Sequence, residues 1–87
     1  MTFTVVWKPG AVEALAAAWL SSDRRVDVAA AADEIERLLR TGPTDVGVPG
    51  PLDSRILVCV PLAVVFDIRP DDRIVEVLRV VTVPSEA

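Results

Sequence analysis

The 87-residue chain has nine Lys and Arg, thirteen Asp and Glu, one Cys, and no His or Tyr. Without histidine it lacks the commonest proton carrier near neutral pH. Arg55, Arg73 and Arg79 lie in the second half of the sequence. Guanidinium groups there could hold an anion such as a phosphate. Arg73 and Arg79 share a strand parity but stand about 20 Å apart along it, too far to grip one phosphate together. Arg55 with Arg79 is the more plausible catalytic pair, if the sheet order brings them close. Proton transfer would then fall to Asp, Glu or solvent. Asp67 and Glu76 read as exposed positions on adjacent strands, with no polar neighbours to orient them as an acid–base couple. Cys59 lies inside an apolar strand and has no second cysteine to pair with, so it reads as a small buried hydrophobe. No metal-ligand cluster and no glycine-rich phosphate cradle is visible, so neither metal nor cofactor is expected.

These arginines must be positioned by three Val-rich segments, Arg55–Val60, Leu62–Arg69 and Arg73–Val83. Pro61 and the turn Pro70-Asp71-Asp72 separate them, which predicts a three-stranded antiparallel meander. Upstream, Thr2–Trp7 alternates Phe3, Val5 and Trp7 with Thr2, Thr4 and Val6, the pattern of a half-buried strand. Pro9 suits the first turn of a helix. From Gly10 to Ser21, the residues Val12, Leu15, Ala16, Trp19 and Leu20 fall on one helical face, with Trp19 as a core anchor. Ser22 or Asp23 can cap a second helix over Arg24–Arg40. Val28, Ala31, Ala32, Ile35, Leu38 and Leu39 form its apolar stripe, Glu36 and Arg40 a favourable pair, and Gly42-Pro43 its stop. Thr41–Asp53 reads as a long loop. Arg69 and Arg73 are expected to pair locally with Asp71 and Asp72. Pro84-Ser85-Glu86-Ala87 reads as a frayed end.

The fold expected is α+β, a two-layer β-α-α-β-β-β arrangement over residues 1–87 as a single domain. A helix hairpin packs on one face of a small, mainly antiparallel four-stranded sheet. The meander is apolar at both parities, so its uncovered face would exceed the patch a monomer normally tolerates. Leu57, Cys59, Val75 and Val77 are the candidate partner contacts.

Bulk properties narrow the function classes. The net charge is −4, and no basic stripe is visible, which disfavours RNA or a ribosome as partner. No apolar run is long enough to cross a membrane, and the N-terminus lacks the features of a signal peptide, so a cytoplasmic location is expected.

The layout resembles the RelE/ParE toxin superfamily of bacterial toxin–antitoxin systems. The resemblance runs from Thr2 to about Val83. It is carried by the Val-Val-Trp-Lys-Pro strand-to-helix junction, by Asp33–Leu39 ending at Gly42-Pro43, and by the meander from Arg55 to Val80. It implies a metal-independent endoribonuclease or a gyrase inhibitor, held inactive by a cognate antitoxin. Arg55 matches a basic position of the family. Where the family usually has a Gly-Tyr-Arg-like element, this chain reads Pro61-Leu62-Ala63. Thr82-Val83-Pro84-Ser85 replaces the family's C-terminal basic and aromatic residues, and Arg79 is displaced from the usual site. These departures favour a toxin-type protein acting through protein contacts, with an antitoxin or a second copy of itself as partner. The alternative is an mRNA endonuclease using Arg55 and Arg79.

Overall fold

The computed structural model describes residues 2–84; the expected frayed end lies, from Ser85 onward, outside the described residues. The elements in chain order are β1 (Thr4–Trp7), α1 (Pro9–Ser21), α2 (Arg25–Thr41), β2 (Val48–Pro49), β3 (Arg55–Cys59), β4 (Leu62–Arg69) and β5 (Ile74–Thr82). A 3₁₀ turn at Pro43–Asp45 leads from α2 into β2. The sheet order is β1-β5-β4-β3-β2. The meander β3-β4-β5 is antiparallel throughout, as its turn residues require. β1 returns beside β5 in the parallel sense.

The sheet has five strands, not the expected four. The fifth, β2, pairs antiparallel with β3 through Val48↔Ile56 and Pro49↔Arg55. Two residues flanked by Gly and Pro give no period-two signal, so this strand is hidden inside what reads as a loop.

The α1–α2 hairpin covers one face of the sheet. The stripe expected on α2 is the one used: Val28, Ala31, Ile35 and Leu39 are buried, with Ala32 and Leu38 partly so. They meet Leu57, Leu62, Val64, Phe66, Val75 and Val77, and these residues form one core cluster. Helix α2 stops at Gly42, whose N–H bonds the Leu38 carbonyl at 3.0 Å, and Glu36 and Arg40 pair at 3.0 Å. Ser22 assists its start by accepting the Arg24 N–H at 2.9 Å.

Helix α1 departs from expectation. Its buried residues are Ala11 and Ala18, with Ala14 and Leu15 packed against the core. Small side chains let the helix backbone approach β5 closely. The bulkier Val12, Trp19 and Leu20 of the expected core face are turned outward instead. Trp19 is therefore no core anchor. It is 41% exposed, and the Arg25 guanidinium stacks over its ring at 4.8 Å.

The β4–β5 turn also differs from expectation. Arg69 pairs across the strands with Glu76 at 3.1 Å, not locally with Asp71 or Asp72. Arg73 adopts a left-handed φ of 53°, and its carbonyl accepts the Thr4 N–H at 2.8 Å, which ties the turn to β1.

Candidate functional site

The register decides what each candidate arginine can do. Directly paired strand residues share a sheet face. Arg55 pairs with Phe66, which is fully buried on the helix side. Arg79 pairs with Val65, in a row with Ile56 on the open side. Two strand spacings, roughly 10 Å, also separate β3 from β5 across β4. Arg55 and Arg79 thus project from opposite faces and form no common anion site.

The Arg55 side chain is already committed. Its Nε and one terminal nitrogen donate to the Val46 carbonyl at 3.2 and 3.0 Å, and that terminal nitrogen also reaches the Gly47 carbonyl at 3.1 Å. A guanidinium fork suits two adjacent carbonyls. Arg55 therefore clamps the segment that leads into β2, a structural task with no local signal in the residues around it.

All four expected partner contacts face the helix side, Cys59 from the edge of the core. Val75 and Val77 are fully buried beneath the helices, and Leu57 is 8% exposed. Because both parities of the meander are apolar, the sequence could not say which one the hairpin covers. The opposite parity is the accessible one: Val6, Val58 and Val81 are exposed on the open face, with Ile56, Val65 and Ile74 half-buried beside them. Leu78 joins them. The β4–β5 register jumps from Val65↔Arg79 to Phe66↔Val77, leaving Leu78 as a bulged residue without a partner.

Cys59 is half-buried rather than enclosed. It lines an open cleft of about 840 Å³ between the α1–α2 turn and the β3–β4 turn, together with Asp27 and Glu34. Burial raises the thiol pKa, and the Glu34 carboxylate adds to the shift. Both effects hold the sulfur as a neutral thiol, the unreactive form.

A second concavity, about 530 Å³, runs along the outside of the hairpin. Val12, Leu15, Trp19 and Leu20 supply one wall, Ala29 and Ala32 the other, and Asp33 its rim. Three of its large apolar residues are more than two-fifths exposed: Val12 at 51%, Trp19 at 41% and Leu20 at 63%. The α1 stripe that the sequence displays thus lines this groove and not the core. Glu36, on the same helix as Ala29 and Ala32, is engaged elsewhere. One Glu36 oxygen accepts the Trp7 indole N–H at 3.3 Å and the other pairs with Arg40, which fixes β1 against α2. Among the described residues, no helix is long and apolar enough to cross a membrane.

No protein-family model and no curated protein matches the sequence. Solved structures do match. A chain of the toxin–antitoxin complex RelBE2 from Mycobacterium tuberculosis superposes with a TM-score of 0.77 at 20% identity, over 94% of this chain and 92% of that one. A chain of the chromosomal ParDE toxin–antitoxin system from P. aeruginosa gives 0.71 at 16% identity, over 94% of this chain and 97% of that one. The chain therefore has the fold of these toxin–antitoxin components, the RelE/ParE fold that its layout resembles.

Proposed function

We propose that this chain is a toxin-type protein of a toxin–antitoxin pair that works through protein contacts, with the α1–α2 groove as the seat of its antitoxin. The observation that carries the reading is the exposed row Val12, Trp19 and Leu20 along the groove. An apolar trough between two helices fits the apolar stripe of a third, with side chains spaced at i, i+3, i+4 and i+7. The net charge of −4, with Asp33 at the groove, favours a partner helix with basic flanks. The likeness to chains of two toxin–antitoxin complexes supports the assignment. The commitment of Arg55 to backbone carbonyls supports contact over RNA cleavage.

The test is growth on induction, first of the chain alone and then with the product of the adjacent small reading frame. Expected are slowed growth, relief by the neighbour, and a co-purifying complex. Trp19→Asp should weaken that complex about 10-fold or more, the scale of a lost aromatic anchor. Unimpaired growth together with no complex sinks the reading.

A further inference from the structure

The open face of the sheet is an apolar surface that the hairpin leaves uncovered, and its charges have a distinctive arrangement. Four charged strand residues lie on it, Asp67 and Arg69 from β4 and Glu76 and Arg79 from β5, and Asp53, from the segment before β3, lines the same concavity as Asp67 and Arg79. Arg69 and Glu76 neutralise each other at 3.1 Å. Asp67 and Arg79 have no ion-pair partner within the described residues. They stand on neighbouring strands, two residues apart in register, because Arg79 pairs with Val65. Their Cα atoms are thus roughly 8 Å apart, with opposite signs on either side of Leu78.

We infer that this face receives a second copy of the same chain. A two-fold axis lying in the interface, midway between Asp67 and Arg79, sets each Arg79 on the Asp67 of the other copy. Two ion pairs form from two unpartnered charges. A self-complementary patch of this kind is what an isologous contact needs. A strongly basic partner would instead leave Arg79 against like charge, and a strongly acidic one Asp67. The apolar residues beside the axis, Ile56, Val65 and Leu78, would be buried between the copies. Four strands, roughly 19 Å wide and on average roughly 21 Å long, give a projected face of about 400 Å². That is the scale of a small interface, near the lower end for specific association, so a micromolar dimer is expected. The inference is independent of the partner-helix reading, since it uses the other layer of the molecule.

Sedimentation equilibrium of the full chain, from about 1 to 200 μM, tests it. The expected result is a monomer–dimer equilibrium within that range. Arg79→Asp and Asp67→Arg, each made alone, set like charges together and should weaken dimerisation about 10-fold or more. The two combined restore opposite charges and should recover the wild-type constant to within about 3-fold. Circular dichroism of each variant separates loss of dimer from loss of fold. Trp19→Asp, in the helix groove, should leave the dimer intact. A monomer at every concentration overturns the inference, as do folded single variants that still dimerise normally. So does a double variant no better than the singles, or a dimer abolished by Trp19→Asp.

Discussion

Arg55 shows how a residue suited to catalysis can instead serve the fold. Its three hydrogen bonds to Val46 and Gly47 hold the chain that enters β2. Charge-assisted bonds are among the stronger ones, and the two to Val46 are part-buried. Arg55→Ala should therefore cost about 1–3 kcal/mol in urea unfolding. Arg55→Lys should recover only part, because an ammonium is a point donor without the planar fork. An Arg55→Ala protein as stable as wild type contradicts the clamp. Cys59 makes a second residue-scale prediction. Its raised pKa means that less thiolate is present at any given pH than for a free thiol. Alkylation of the folded chain near neutral pH should be slower than that of the urea-unfolded chain, and should rise only at more alkaline pH. Glu34→Gln removes the smaller of the two causes and should speed the reaction modestly. Equal rates for folded and unfolded chains would show that the cleft does not protect the thiol.

At the scale of elements, β2 depends on Gly47. Its φ is +77°, and a Cβ built there would lie 2.5 Å from the Ile56 carbonyl oxygen of the neighbouring strand. Gly47→Ala therefore meets left-handed strain of roughly 1–2 kcal/mol and a backbone clash as well. It should destabilise the chain by about 2 kcal/mol or more and release β2 from β3, read as faster amide exchange at Ile56. Gly10 is the control. A Cβ there meets nothing within 4 Å, and the site lies in the first turn of α1. Gly10→Ala should be neutral or stabilising by up to about 1 kcal/mol. These elements also show what a sequence can display. The meander was legible because Pro61 and Pro70-Asp71-Asp72 punctuate long Val-rich runs, and β3, β4 and β5 fall within the expected segments. Helix α2 was legible because Val28, Ala31, Ile35 and Leu39 repeat against charged neighbours. Strand β2 was not, being two residues long. The buried face of α1 was misassigned because periodicity ranks side chains by hydrophobicity, whereas close packing on β5 selects Ala11 and Ala18 by size. The site residues suffered most. Strand parity separates Val75 and Val77 from Ile74 and Glu76, but which set meets the helices is a tertiary fact.

The whole molecule is two layers sharing one core, and β4 carries both surfaces of its sheet. Phe66 points to the helices and is fully buried, while Val65, its chain neighbour, points to the open side. A chain of 87 residues has a total stability of roughly 4–13 kcal/mol. Phe66→Ala removes the largest fully buried side chain and leaves a cavity in the core between helices and sheet, for about 3–5 kcal/mol. That is a large share of the total, so a strong fall in melting temperature is expected. Val81 lies one residue past the buried Val80 on β5, and is 44% exposed on the open side. Val81→Thr keeps the shape and the strand propensity while adding a hydroxyl that water can reach. At low micromolar protein it should change stability by no more than about 0.5 kcal/mol. The contrast between these two substitutions tests the layer assignment itself. If the hairpin covers the face assigned to it, Phe66→Ala melts far below Val81→Thr. A comparable loss from both would mean that the open face is packed within the monomer, and would leave a second copy of the chain with no face to cover.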